Sequence, residues 1–128
     1  MMVAEIETDQ FTLFPEATRR EIERAKIILS EYVKMKRALS NFEKNPPITE
    51  KQKTYQEIWG KACLVLERAV NQIVDHDIRE IIEYRYIKGN SRASTILRFS
   101  GWSYCDKTFD RKISEGIVSV ANTLLYLE

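Results

Sequence analysis

The side chains best suited to chemistry are few and scattered. Cys63 and Cys105 are the only cysteines, and His76 is the only histidine. Neither cysteine belongs to a Cys-x-x-Cys pair. Two thiols and one imidazole fall short of the four nitrogen or sulfur ligands that a structural zinc site requires. His76 stands between Asp75 and Asp77, a setting that suits a hydrogen-bonded histidine at a helix junction better than a metal ligand or a general base. Cys63 falls in an apolar helical stripe and reads as a small core residue. There is no glycine-rich phosphate loop, the carboxylates are spread over helix surfaces, and no nucleophile is paired with the lone histidine. These features argue against an enzyme, and no metal or cofactor is expected.

A different chemistry is concentrated around 101-GWSYCDKTFDRKI-113. Residues 88–114 hold Lys88, Arg92, Arg98, Lys107, Arg111 and Lys112 against Asp106 and Asp110, a local charge of +4 in a chain whose net charge is +1, so the remainder carries −3. Such asymmetry suits a phosphate-contacting face on an otherwise neutral protein, and it equally suits a solvated helix surface. With Phe109 at zero on a helical wheel, Ile113 and Ile117 stay near it, whereas Lys107, Arg111 and Ser114 fall within about 40° of the opposite direction. Thr108 and Asp110 flank this outer face.

An α-helix fits the major groove of DNA, where Arg and Lys donate to guanine O6 and N7 and Thr touches a base edge or a thymine methyl. Free N–H groups in the first helical turn can hold a phosphate. The candidate DNA contacts are therefore Ser103, Tyr104, Lys107, Thr108, Asp110, Arg111, Lys112 and Ser114, with Arg92 and Arg98 on the preceding helix. Trp102 is read as locking the two helices together, and Tyr104 as a phosphate or sugar contact.

The elements that position this stretch read as helices. Only four glycines and three prolines occur in 128 residues, and strict alternation is scarce, which disfavours a hairpin-rich β fold. Residues 1–14 lack a period and are expected to form a mobile lead-in. Pro15 suits a helix start. A helix is predicted from residue 16 to about 44, with a stripe at Ile22, Ala25, Leu29, Tyr32 and Leu39 that Lys36 interrupts. A second stripe through Ile28, Met35 and Phe42 widens it. Asn45-Pro46-Pro47 breaks the helix, and Thr49 with Gln52 forms a capping box for the next one. That helix runs to about Val74, with Tyr55, Ile58, Ala62, Val65 or Leu66, Ala69 and Ile73 on one side. Trp59, Cys63 and Val70 lie off the stripe and need another surface.

Asp77 with Glu80 offers a further capping box, opening a third helix over about 78–88 that Gly89 stops. A short helix over about 92–99 follows, Gly101 lets the chain reverse, and a last helix spans about 105–126. Its core stripe is Phe109, Ile113, Ile117, Val120 and Leu124. Gly116 within it costs about 1 kcal/mol of helix stability, which points to close packing there. The predicted architecture is all-α: a long antiparallel helical hairpin over residues 1–74, lead-in included, followed by a three-helix helix-turn-helix domain over 75–128. No apolar run approaches the roughly 20 residues of a membrane span. The start, MMVAEIETDQ, is acidic and lacks the order of a signal peptide, so a cytoplasmic protein with no membrane partner is expected.

Residues 81–124 resemble the C-terminal part of the ArpU-like phage transcriptional regulators, which have an aromatic "RY" helix, a short helix and a "GYS-x-x-TFYR"-like turn and recognition helix. The matching residues are Arg85, Tyr86, Tyr104, Cys105, Thr108, Phe109 and Arg111. Residues 25–39, AKIILSEYVKMKRAL, are also similar to that family's basic N-terminal helix through Leu29, Tyr32, Lys36 and Arg37. Two departures stand out. Cys105 occupies the usual serine cap, which would move the cap to Ser103, and Ser100-Gly101-Trp102 replaces a simpler Leu-Gly pair. The resemblance implies a phage or prophage activator of late or lysis-related genes, with a domain like the promoter-reading region of bacterial sigma factors.

The leading expectation is a sequence-specific transcription regulator in the cytoplasm of a bacterial host. Its expected partners are double-stranded DNA, host RNA polymerase and a second copy joined through the N-terminal hairpin. One alternative is an adaptor that binds RNA polymerase or another protein and touches DNA weakly. A second is a DNA-packaging accessory of the small-terminase type.

Overall fold

A computed structural model describes residues 13–102 and 105–128, with Trp102 described through its backbone alone. The fold is all-α. Among the described residues five α-helices follow one another: α1 (Arg19–Lys44), α2 (Glu50–Asn71), α3 (His76–Ile82), α4 (Arg92–Arg98) and α5 (Asp106–Leu127). The described residues include no strand. None of these helices is long and apolar enough to cross a membrane.

The first helix starts later than Pro15 suggests. Thr18 is its N-cap: the hydroxyl accepts from the Glu21 N–H at 3.2 Å, and Glu21 Oε1 accepts from the Thr18 N–H at 2.8 Å. Two otherwise orphaned donors are thereby satisfied, whereas Pro15 has no N–H to offer. Ala25, Leu29 and Tyr32 form the buried face. Lys36, the interruption in the stripe, reaches across to Glu67 on α2 at 3.2 Å, and the Tyr32 hydroxyl donates to the same carboxylate oxygen.

The opening of α2 matches the sequence reading, with Thr49 accepting from the Gln52 N–H at 3.1 Å and Gln52 reaching back to the Thr49 N–H. It ends at Asn71, short of Val74, which is 95% exposed. Contacts pair Tyr32 with Glu67 and Phe42 with Trp59, so α1 and α2 run in opposite directions. The buried face of α2 is Cys63, Val65, Leu66, Ala69 and Val70. Tyr55 and Ile58, expected on that face, are exposed instead. Cys63 and Val70, off the expected stripe, are buried in the core that α2 shares with α1 and α5, in the half of the helix nearer its C-terminus. At the other end Trp59 is half-buried, stacked on Tyr55 at 5.1 Å and Phe42 at 6.4 Å.

The start of α3 is also shifted. Asp75, not Asp77, is the cap, accepting from the Ile78 N–H at 3.1 Å. Ile78, Ile81 and Ile82 are its buried residues. The predicted helix over 78–88 is α-helical only to Ile82 and then widens into a π-helical turn over Glu83–Ile87, closed by the Lys88 N–H donating to the Glu83 carbonyl at 2.9 Å. Gly89 ends it at φ +76°, a conformation that costs glycine little. Asn90 Nδ2 then donates to the Tyr84 carbonyl at 3.0 Å, and Arg85 Nη1 to the Asn90 carbonyl at 2.8 Å.

The main core draws on α1, α2, α3, the π turn and α5, from Leu29 and Leu66 through Ile82 and Tyr86 to Val120 and Leu124. The largest apolar cluster therefore takes side chains from both sides of residue 74. A smaller cluster of Ile81, Phe99 and Phe109, with Tyr84, Ile96 and Ile113 packed against it, joins α3, α4 and α5.

Candidate nucleic-acid interface

The local unit consists of α4, a short connection and α5. Ser91 caps α4 by accepting from the Ser94 N–H at 3.1 Å, and the buried Thr95 donates its hydroxyl to the Ser91 carbonyl at 2.7 Å. A single 3-10 turn, Ser100–Trp102, follows. Cys105 takes the N-cap position of α5 with its Sγ 3.2 Å from Thr108 Oγ1. This contact holds the thiol below its ordinary pKa. The expected cap at Ser103 and the expected roles of Tyr104 and the Trp102 side chain lie outside the described residues.

Aromatic contacts set how α5 sits. Phe109 is buried and lies 6.5 Å from Phe99, which meets Tyr84 edge-on at 5.6 Å. Such ring pairs contribute beyond their area burial, and here they tie the second turn of α5 to the end of α4 and to the π turn. With Phe109 inward, the side chains opposite it must face out. Lys107, Asp110, Arg111 and Ser114 are all exposed, so the face expected from the wheel is open to a partner. Lys107 makes no ion pair among the described residues, and Arg111 stands 4.0 Å from Glu115 one turn on.

The other candidates are placed less uniformly. Thr108 is half-buried. Lys112 is also half-buried and lies near Asp75. The Ile78 N–H and then the Lys112 charge hold that carboxyl below its usual range. Lys112 therefore turns towards the α3 cap rather than the outer face. On α4, Arg98 lies over the Phe99 ring at 5.4 Å, and it stands about 120° around the helix from Arg92.

Arg92 and Asp110 are brought together. Nε and Nη2 of Arg92 donate to Oδ1 and Oδ2 of Asp110, each at 2.8 Å, and both residues are about half exposed. The guanidinium holds the Asp110 carboxyl below its usual range, and the carboxylate raises Arg92 in return. Sequence reasoning treated the two as separate DNA contacts. A bond between residues 18 positions apart leaves no local signal in the sequence.

A second surface feature is apolar. Ile27, Ile28, Met35, Ile58, Trp59 and Leu124 line a groove of about 610 Å³ along α1 and α2, with Ile27 60% and Ile58 53% exposed. Glu31, Lys34 and Lys61 edge it.

The chain matches no family model, no curated protein and no solved structure.

Proposed function

We propose that the chain is a sequence-specific DNA-binding transcription regulator of phage or prophage genes. In this reading α4, the following turn and α5 act as a helix-turn-helix, and α5 enters the major groove. One observation carries the proposal: Lys107, Arg111 and Ser114 form the open edge of a helix whose opposite edge is locked through Phe109 against Phe99. A helix held rigidly from behind presents its side chains to base edges without ordering them anew. The resemblance of residues 81–124 to the ArpU-like regulators supports the same reading, and with it a cytoplasmic site of action in a bacterial host.

The apolar groove on α1 and α2 suits a second copy of this chain. Its rim carries both signs, Glu31 against Lys34 and Lys61, so it can be self-complementary about a two-fold axis. A dimer of that kind would address half-sites about 34–36 Å apart.

An anisotropy titration against duplex DNA tests the DNA-binding reading. Lys107→Ala with Arg111→Ala is expected to weaken binding at least about tenfold, since two phosphate or base contacts are lost, with unchanged helicity. Unaltered affinity would remove this face from consideration.

A second reading, an adaptor that engages RNA polymerase or another protein with weak DNA contact, is favoured by the charge pairing. Arg92 is matched by Asp110, and Arg111 has Glu115 nearby. The salt dependence separates the two: a duplex binder loses affinity with a log–log slope of about −0.9 per phosphate contact, and an adaptor shows almost no slope.

A further inference from the structure

We propose that Asp110 is a positioning residue that turns Arg92 from a phosphate-binding cation into a guanine-reading one; this rests on the DNA-binding reading above. A guanidinium has two edges able to donate paired hydrogen bonds. The Nε–Nη2 edge of Arg92 is engaged by the Asp110 carboxylate, with both distances at 2.8 Å. The Nη1–Nη2 edge then points away from the carboxylate, and its fork matches the O6 and N7 acceptors of guanine. The side chain is fixed between α4 and α5 before any ligand arrives, so less rotamer freedom is lost on contact.

The carboxylate also sorts ligands by charge. A phosphate carries a full negative charge and meets an ion pair that is neutral as a whole, with Asp110 repelling it. The guanine edge has two uncharged acceptors and no such repulsion. The pair therefore weakens sequence-blind attraction while leaving a directional contact in place. Its location suits that task, because Asp110 stands about 60° from Lys107 around α5, on the flank of the open edge.

The test uses the full chain and a pool of duplexes with a randomised stretch, selected separately with the natural protein, Asp110→Asn and Arg92→Lys. The natural protein is expected to select a site with a fixed G·C pair that becomes degenerate with either variant. The ratio of affinities for the selected site and a random duplex should fall by about 5- to 150-fold. Asp110→Asn should also bind the random duplex more tightly, with a salt slope steeper by about one contact. A merely structural strut would instead lower both affinities in parallel with the melting temperature, which overturns the proposal. The same G·C preference and an unchanged ratio in Asp110→Asn overturn it too, leaving DNA binding intact. A natural protein that binds no duplex at any salt concentration removes the DNA-binding reading and this proposal together.

Discussion

A β-carbon placed on Gly116 would lie 2.3 Å from Cγ1 and 2.6 Å from Cδ1 of Ile82. The absence of a side chain on α5 is thus what lets α3 lie against it. Gly116→Ala gains about 1 kcal/mol of helix propensity but forces a methyl group into a filled space, which costs about 1–3 kcal/mol or more. We expect a lower melting temperature. In an Ile82→Ala background the penalty should shrink, and urea denaturation of the four proteins of the cycle measures the coupling.

The Tyr32 hydroxyl and Lys36 share the Glu67 carboxylate. Burial and the Glu67 contact keep the Tyr32 phenol protonated well beyond its ordinary range. Tyr32→Phe preserves the packing and leaves Glu67 with its lysine, so the expected loss is only about 0.5–1.5 kcal/mol. A shift of the urea midpoint at constant slope checks this. Glu67→Leu should cost more, because it leaves the hydroxyl of a buried tyrosine without an acceptor.

The Asp110 carboxyl titrates below its unfolded value because Arg92 binds its charged form. The sign follows from linkage. A lowered folded pKa gives stabilisation that is present above the unfolded pKa, about 3.9, and is lost as the pH falls through the folded one. Carbon-13 NMR of the side-chain carboxyl should show this low value in the natural protein and a return towards about 3.9 in Arg92→Ala.

The two thiols should differ in reactivity. Cys63 is buried, and burial raises its pKa, whereas Cys105 is exposed and its contact with Thr108 lowers its own. The thiolate is the nucleophile. At neutral pH iodoacetamide should label Cys105 in the folded protein and reach Cys63 only after denaturation. Thr108→Val should slow labelling at Cys105, and mass spectrometry of the peptides follows both sites.

Signals carried by near neighbours in the chain were the legible ones. Thr49 with Gln52 and Gly89 acted where expected, and the close packing inferred at Gly116 is met by Ile82 and Ile78. Thr18 and Glu21 carry the same type of signal three residues after Pro15, and it is this capping box that sets the helix start. A stripe states which side chains of α2 are apolar, not which of them a neighbouring helix covers. Tyr55 and Ile58 are exposed, Ile58 on the open groove that Leu124 of α5 also lines. The π turn leaves no mark in the sequence because one widened turn leaves the apolar spacing of Ile81, Ile82 and Tyr86 almost unaltered, and the bond that closes it, from the Lys88 N–H to the Glu83 carbonyl, joins two backbone groups. Among the candidate contacts, the outward direction of Lys107 and Arg111 followed from helical geometry alone. The inward turn of Lys112 and the joining of Arg92 to Asp110 depended on which helices meet.

One helix, α5, carries two duties along its length. Its first half bears Phe109, Lys107 and Arg111, and its second half supplies Val120, Ala121 and Leu124 to the cluster built with α1 and α2. Cutting the chain after residue 74 would strip the cover from that second half and leave a greasy stem exposed to water. The outer edge of α5 thus owes its fixed pose to helices some fifty to a hundred positions earlier, and damage at Leu29 or Leu66 would blunt it without touching a single cation.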